Sequence, residues 1–234
     1  HRRVQGFRDE MRYGVFSDIH SNLEALEAVL EALKKEKVDR YLCVGDIVGY
    51  AANPRECLKI VKDLNCPTVC GNHDRAVADL LDRSSFNDAA QAAVEWTKGN
   101  LNDREKDYLR GLLFAYEEGQ ITMVHGSLDR PEEFAYVMDE EAAVRTIKLC
   151  KTKICFVGHT HQPFEYYRGM KFLVNVGSVG QPRDGDPRAA YCVFDSESDK
   201  VRIKRVEYDV RSAMDKIIAA GLPEYLATRL SEGS

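Results

Sequence analysis

Near its beginning the chain carries the stretch RYGVFSDIH, residues 12–20. The first five of these residues predict a short strand, and Asp18 and His20 follow it closely. Ser21 and Glu24 then form a Ser-x-x-Glu capping box, and leucines recur behind it at helical spacing, so a helix is expected to begin there. A carboxylate and an imidazole thus leave the turn between a strand and a helix, at the edge where sites form in α/β sheets.

Two further strand ends carry polar residues in the same way. Residues 40–44 predict a strand that is followed by Gly45-Asp46, and Asn53-Pro54 begin the next helix as cap and first helical residue. Residues 68–70 predict a third strand, which leads into GNHD at residues 71–74. The order β-α-β-α-β predicts a parallel sheet with right-handed crossovers.

The middle of the chain is expected to be mostly helical. Residues 82–111 predict helices, which we interpret as an inserted helical layer or as a cap over the site. Strands are expected at residues 112–116 and 121–124, and His125 comes directly after the second of them. A helix is expected over residues 140–150.

From residue 153 the pattern changes to short strands with short connections, and the first strand leads into GHTH at residues 158–161. Because no room remains for crossover helices, this part is expected to be mainly antiparallel. Residues 209–230 predict a polar helical tail. The strands are expected at residues 154–157, 164–167, 172–176, 191–194 and 201–206.

Length and composition fit one domain over residues 11–234, and residues 1–10 are interpreted as a leader or loose arm before a native start at Met11. The net charge of −5 weighs against a nucleic-acid partner, which usually requires a basic surface. No apolar stretch is long enough to span a bilayer, so no membrane partner is expected. The seven cysteines are odd in number and form no C-x-x-C pair, which indicates free buried thiols in a cytoplasmic protein.

Five of the six histidines fall in short motifs built from Asp, Asn, Gly and His. Nitrogen and oxygen ligands suit hard or borderline divalent cations rather than a thiolate zinc cluster. There are more ligands than one ion needs, and a single carboxylate such as Asp46 can bridge two cations, so a two-metal hydrolase is indicated. Mn, Fe, Zn, Ni and Co all suit these ligands, and Mn is favoured. The candidate ligands are Asp18, His20, Asp46, Asn72, His125, His159 and His161.

This ordered set of motifs resembles the calcineurin-like metallophosphoesterase superfamily, and the resemblance spans residues 11 to about 206. It implies an α/β fold, a four-layer αββα sandwich of two mixed sheets flanked by helices. The same resemblance implies a dinuclear metal site at the carboxyl ends of the strands. It would hydrolyse a phosphate ester by in-line attack of a hydroxide that bridges the two metals.

The resemblance also implies a role for each motif residue. His73 would contact the phosphoryl oxygens or the leaving group, as an electrostatic stabiliser or general acid, and Asn72 would lie beside it at the substrate. Asp74 would orient His73. One ion would be held by Asp18, His20, Asp46 and His161, and the other by Asp46, Asn72, His125 and His159.

Protein Ser/Thr phosphatases of this fold carry Gly-Asp-x-x-Asp-Arg and Gly-Asn-His-Glu. Here Gly49 and Tyr50 stand where the Asp-Arg pair would be, and Asp74 stands where the Glu would be, which weighs against a phosphoprotein phosphatase. The sequence is more similar to the small bacterial and archaeal phosphodiesterase-like branch. Some members of that branch are described as dinucleoside polyphosphate hydrolases.

Several residues outside the motifs leave two interpretations open. The run GSVGQPRDGD, residues 177–186, is either a substrate loop in which Arg183 binds a phosphate or simply a tight connection. Asn175 either faces the site or sits in a strand. The aromatic residues that either line a pocket or pack in the core are Tyr50, Trp96, Phe134 and Tyr136.

The favoured function is metal-dependent hydrolysis of small phosphorylated molecules. Diesters and dinucleoside polyphosphates are the leading substrates, and phosphomonoesters come next. The alternatives are a catalytically inert scaffold of the same fold, for which a retromer subunit is the precedent, and a nuclease. The oligomeric state and the physiological substrate are not readable from the sequence.

Overall fold

The computed structural model describes residues 11–84 and 86–234, so the expected leader at residues 1–10 lies outside the described part. The strands are β1 (Arg12–Phe16), β2 (Arg40–Cys43), β3 (Ala115–Glu118), β4 (Ile121–Val124), β5 (Ile154–Val157), β6 (Phe164–Arg168), β7 (Lys171–Asn175), β8 (Ala189–Asp195) and β9 (Lys200–Val206). The helices are α1 (Leu23–Lys35), α2 (Pro54–Leu64), α3 (Asn72–Val77), α4 (Asp88–Asn100), α5 (Asp103–Arg110), α6 (Glu140–Leu149), α7 (Val210–Ala219) and α8 (Glu224–Glu232).

The strands form two mixed sheets, ordered β2-β1-β8-β9 and β3-β4-β5-β7-β6. Strands β1 and β2 are parallel, as are β4, β5 and β7, whereas β8 and β9 join the first sheet antiparallel. In each sheet the parallel strands therefore end at the same edge. These strand ends carry the motif residues.

The four-layer arrangement is visible in the buried side chains. Val15 of β1 and Phe156 of β5 belong to one apolar cluster, which lies between the two sheets. Leu26 of α1 packs on the outer face of the first sheet, and Ile147 of α6 packs on the outer face of the second. The predicted αββα sandwich is confirmed, and burial of these apolar faces stabilises it.

The chain departs from the expected elements at several places. The predicted strand at residues 68–70 contributes only single parallel bridges, to Cys43 and to Leu113. Helix α3 was not predicted, because it lies within the GNHD motif and is only six residues long. Strand β7 pairs with β5 in parallel, against the antiparallel expectation, because β6 folds back on β7 and occupies the sheet edge.

The cap of the first helix is Asn22 rather than Ser21. Ser21 has a φ of 59°, in the left-handed region, whereas an N-cap residue needs extended backbone. Asn22 has that backbone, and its side chain accepts a hydrogen bond from the Ala25 N–H. The predicted helical tail is confirmed as α7 and α8.

Two expectations from composition can be compared with the described residues. All seven cysteines are free thiols there, and six of them are buried, as predicted. Within the described ranges no helix has the length and apolar character needed to cross a membrane.

Candidate metal centre and active-site cleft

The strand ends bring the seven predicted ligands together. Asp18 and His20 follow β1, Asp46 follows β2, and His125 follows β4. All seven are buried except Asn72, which is half-buried at the beginning of α3. Side-chain atoms lie within 4.8 Å of one another in three overlapping groups, which are Asp18, His20 and His161; His20, Asp46 and His73; and Asp46, His125 and His159.

Backbone strain is concentrated at this edge. Five of the seven residues have left-handed backbone, with φ between 49° and 69°, although none of them is glycine. Each such residue costs about 1–3 kcal/mol, which the surrounding structure must offset. Part of this support is the interlocking of the first two turns, where Asp18 N–H donates to Gly45 O at 2.9 Å and His20 N–H donates to Asp46 O at 3.0 Å. The strained residues are Asp18, His20, Asp46, His159 and His161.

Two motif glycines are required by close approach of neighbouring groups. A Cβ on Gly71 would lie 1.9 Å from Asp46 Oδ1, which is deep inside van der Waals contact. A Cβ on Gly158 would lie 2.2 Å from Ser17 Oγ and 2.5 Å from Asp18 Oδ2. The glycines thus allow the two carboxylates to sit directly against the backbone of neighbouring turns.

Three of the four predicted histidine ligands are oriented by backbone carbonyls. In each, the Nδ1 atom lies at hydrogen-bond distance from a carbonyl oxygen, so Nδ1–H donates and, when the ring is neutral, Nε2 keeps its lone pair. This tautomer presents Nε2 to the interior of the site. The pairs are His20 with Val48 O at 3.2 Å, His125 with Val44 O at 2.7 Å, and His161 with Gln181 O at 2.6 Å.

The inward-facing atoms are poorly satisfied by one another. His20 Nε2 lies 3.0 Å from His161 Nε2, so two lone pairs face each other in the tautomers that the carbonyls impose. Asp18 Oδ1, Asn72 Oδ1 and His125 Nε2 are buried without a hydrogen-bond partner among the described residues. Buried polar atoms of this kind are normally paired. Divalent cations would satisfy all of them, so the donor set fits a dinuclear metal centre.

Electrostatics within the cluster are dominated by burial and by the two carboxylates. Burial favours the neutral form of Asp46, but His125 and its other histidine neighbours outweigh burial and hold the pKa of Asp46 below its usual value. Burial opposes charge on His125 too, yet Asp46 and Asp18 raise its pKa to about 10. Because a ligating imidazole must be neutral, cation binding would release the His125 proton.

His73 lies beside the ligands, with its ring among aromatic neighbours. The backbone N–H of His73 donates to Asp46 Oδ1 at 2.9 Å. The centroid of the His73 ring is 4.4 Å from that of Tyr50 and 4.9 Å from those of His20 and Phe86. Burial holds the pKa of His73 well below its usual value, since the nearby Asp46 charge only partly compensates. Proximity alone does not separate His73 from the ligands, because it shares a group with two of them.

The Asp74 carboxylate accepts hydrogen bonds from backbone groups of the neighbouring turns. Its Oδ1 accepts hydrogen bonds from the Ile47 and Val48 N–H groups at 2.9 and 3.2 Å, and its Oδ2 accepts from Gly71 N–H at 3.0 Å. The His73 Nδ1 atom has no described partner. The carboxylate therefore joins the turn after β2 to the turn before α3.

The cluster opens into a cleft with a volume of about 390 Å³. One end of the cleft carries the motif residues Asp46, Asn72, His73, His159 and His161. The other walls carry residues from distant parts of the chain, among them Tyr50, Phe86, Phe134, Tyr136, Arg183, Tyr225 and Arg229. We call the seven candidate ligands and His73 the floor of the cleft. The aromatic and cationic residues around it form the wall.

The sequence of residues 11–199 matches the family model described as the calcineurin-like phosphoesterase superfamily domain. The chain belongs to this family. Enzymes of the family depend on two metal ions, in agreement with the clustered Asp and His ligands of this chain.

Individual relatives agree with this assignment. An uncharacterized protein of Methanocaldococcus jannaschii is 39% identical, over 94% of this chain and 97% of that protein. The crystal structure of a metallophosphoesterase from Sphaerobacter thermophilus is 37% identical, covers 97% of this chain and 100% of that one, and has a TM-score of 0.86. Phosphodiesterase YfcE of Escherichia coli is 26% identical, over 77% of this chain and 85% of that protein. The chain is a metal-dependent phosphoesterase, a hydrolase.

The structure of this metallophosphoesterase shows where the residues with two open interpretations lie. The rings of Tyr136 and His159 are stacked, with their centroids 3.9 Å apart and an interplanar angle of 7°. Phe134 and Tyr50 also line the cleft. Trp96 instead packs against an apolar cluster beside α7 and α8. Arg183 lines the cleft with its guanidinium 5.6 Å from the Tyr50 ring.

Asn175 shapes the GHTH turn of the phosphoesterase site. Its amide donates to Gly158 O at 2.7 Å and to Thr160 Oγ1 at 2.9 Å. It is the last residue of strand β7, and its side chain supports the GHTH turn without lining the cleft.

Sequence reasoning did not single out several residues of the cleft wall, among them Phe86, Tyr225 and Arg229. Phe86 precedes α4, and the other two belong to α8. No local pattern marks them, because their proximity to the ligands comes only from how these helices pack. The predicted helical segment at residues 82–111 thus contributes to the wall of the cleft through its first residues.

Proposed function

We propose that this phosphoesterase hydrolyses small phosphodiesters and dinucleoside polyphosphates, with phosphomonoesters as the next candidate class. The observation that carries the proposal is the convergence of the buried ligand side chains, with inward-facing Nε2 atoms, on one floor of an open cleft. A floor of this kind binds the phosphoryl group, and the remaining wall is free to bind the rest of a small molecule.

In this proposal one cation is held by Asp18, His20, Asp46 and His161, and the other by Asp46, Asn72, His125 and His159. When bound, the two ions would supply positive charge for the phosphoryl oxygens. They would also lower the pKa of a water molecule, so that it can supply the hydroxide nucleophile. Manganese is the first ion to test, since oxygen and imidazole ligands suit it.

The residues of the chain divide the remaining work. His73 donates a proton or hydrogen bond to the leaving oxygen, for which its position beside the ligands and at the cleft surface suits it. Asp74 positions His73. Its carboxylate accepts three backbone hydrogen bonds, which hold the turns on both sides of Asp46. The Asp46 carboxylate in turn accepts the backbone N–H of His73. Asn72 offers its buried Oδ1 to a cation.

The wall of the cleft carries groups that suit the remaining parts of a small, extended substrate. Arg183 presents a planar guanidinium, which suits phosphate oxygens, and Tyr136 offers a ring that is half exposed. The volume of about 390 Å³ is within the usual range of small-molecule pockets.

The test is a metal-reconstituted substrate screen. The protein is stripped with a chelator, reloaded separately with Mn, Fe, Zn, Ni or Co, and assayed with phosphomonoesters, diesters, cyclic nucleotides and dinucleoside polyphosphates. We expect turnover of diesters or dinucleoside polyphosphates in at least one metal form and loss of that turnover in the stripped protein. Unchanged turnover after complete metal removal would contradict the proposal.

Two other outcomes would favour the alternatives. Absence of turnover with every metal and ester would favour an inert scaffold of the same fold. Cleavage of single-stranded DNA in a gel assay, without turnover of small esters, would favour a nuclease.

A further inference from the structure

A second arginine lies in the cleft, and it comes from the last helix of the chain. Arg229 of α8 is only 8% exposed, and it lines the same cleft as Arg183 and the metal-ligand floor. It lies beyond residues 11–199, so the family match does not account for it.

Helix α8 is held firmly against the cleft. Leu226 and Leu230, which flank Arg229 on the helix, are buried in one apolar cluster with Tyr50. At the end of the helix, Gly233 O accepts a hydrogen bond at 2.9 Å from the N–H of Gly185, in the loop that carries Arg183. The two arginines are therefore positioned by one continuous packed unit.

Neither guanidinium is neutralised by a side-chain carboxylate within residues 11–84 and 86–234. Arg183 donates to Gln181 Oε1 at 3.2 and 2.7 Å, and Arg229 donates from Nε to the backbone oxygen of Ser234 at 2.5 Å. The rim carboxylate Glu133 pairs with Arg130 at 2.5 Å. Burial and the nearby Arg183 charge lower the pKa of Arg229, so the unmatched pair is electrostatically costly.

Two arginines that line one cleft without a side-chain carboxylate partner are what an anion would stabilise. We propose that Arg183 and Arg229 form an anion subsite for a phosphate group of the substrate other than the one being hydrolysed. The inference rests on the proposed function and sharpens it, since it assigns substrates with two or more phosphate groups to this enzyme. The planar guanidinium forks suit phosphate oxygens, and the half-exposed ring of Tyr136 lies on the same wall.

The experiment compares two esters in three metal-loaded proteins. The esters are bis(4-nitrophenyl) phosphate, which has one phosphate, and diadenosine tetraphosphate, which has four. The proteins are the wild type, Arg229→Gln, and the matched control Arg211→Gln, whose guanidinium is 82% exposed on α7 and paired with Asp215 outside the cleft.

We expect Arg229→Gln to lower kcat/KM for the tetraphosphate about 10- to 100-fold more than for the single-phosphate ester, mainly through KM, because a charge-assisted hydrogen bond is lost. A fourth protein, Arg229→Lys, keeps the charge and should recover part of this selectivity. Arg211→Gln should leave the selectivity ratio unchanged. Equal ratios in the wild type and in Arg229→Gln would overturn the inference.

A binding measurement separates this inference from the proposed function. Inorganic tripolyphosphate should raise the Tm of the wild type and of Arg211→Gln more than that of Arg229→Gln, with each shift measured from the variant's own Tm. If the wild type hydrolyses neither ester, the proposed function fails, and this comparison still decides the anion subsite. Equal Tm shifts in all three proteins would contradict it.

Discussion

The floor and the wall of the cleft are built in different ways. The floor consists of residues that follow strands within short Gly-, Asp- and His-rich motifs, and the ordered set of motifs is recognisable in the sequence. The wall consists of single residues such as Phe86 and Arg229, which lie on elements far apart in the chain. The candidate ligands of the floor thus lie in local motifs, whereas the wall depends on how distant helices pack.

The largest effect is expected from loss of the shared ligand of the floor. Asp46→Asn keeps the shape of the side chain and removes the charge that both metal positions require, so activity should fall to the background of chelated protein. Metal content per chain, measured by elemental analysis, should fall in parallel. The matched control is Asp107→Asn, which removes an exposed carboxylate paired with Arg110 on α5. Full activity with two bound ions in Asp46→Asn would contradict the proposed floor.

Replacement of His73 should separate catalysis from metal binding within the floor. His73→Gln should lower kcat about 10²- to 10⁴-fold, because proton transfer to the leaving oxygen is lost, while metal content stays that of the wild type. Single-turnover kinetics and elemental analysis measure the two quantities. Loss of one ion would instead make His73 a ligand, which its distance to His20 and Asp46 also permits.

The close packing of the floor predicts a stability effect that the wall does not share. Gly71→Ala places a Cβ within 1.9 Å of Asp46 Oδ1, and overpacking of this kind should lower the free energy of unfolding by about 1–3 kcal/mol. Urea denaturation of the stripped protein measures it. Gly99→Ala in α4 is the control, since no atom lies within 4 Å of the added Cβ, and it should stabilise the protein by about 0.5–1 kcal/mol. An unchanged free energy of unfolding in Gly71→Ala would show that the floor tolerates an added methyl group.

The smallest effect is expected from one aromatic residue of the wall. Tyr136→Leu removes the ring that stacks on His159, and KM should rise about 2- to 10-fold with little change in metal content. Steady-state kinetics with a diester measure it. Tyr167→Leu, on the exposed edge strand β6, is the matched control and should leave KM unchanged. A rise in KM of the same size in both variants would remove Tyr136 from the substrate wall.

Much of the fold was predictable because its signals are local. The strand β1, the caps of α4 and α6 and the helical tail follow from apolar patterns and capping residues within a few positions. Pairing was less predictable. The parallel partnership of β5 and β7 depends on β6 occupying the sheet edge, which no residue of either strand specifies.

The candidate site divides in the same way. The seven candidate ligands and His73 were predicted from motifs, and the structure brings them together on one floor, while their roles stay predictions. The expected role of Asp74 in orienting His73 stays a prediction, and its carboxylate accepts hydrogen bonds from three backbone N–H groups. Which nearby donors a carboxylate accepts from depends on the geometry of the turns, and the motif sequence does not specify that geometry.

The ordered motifs of the sequence specified the candidate metal ligands, since ligands must follow strands and glycines must stand where carboxylates approach the backbone, and both requirements leave a local pattern. Only the tertiary structure decided which side chains form the wall of the cleft. Arg183 and Arg229 meet because α8 packs on Tyr50 and because Gly233 binds the loop of Gly185. Such long-range packing is the sum of many weak apolar contacts, so it leaves no motif at the residues that it brings together.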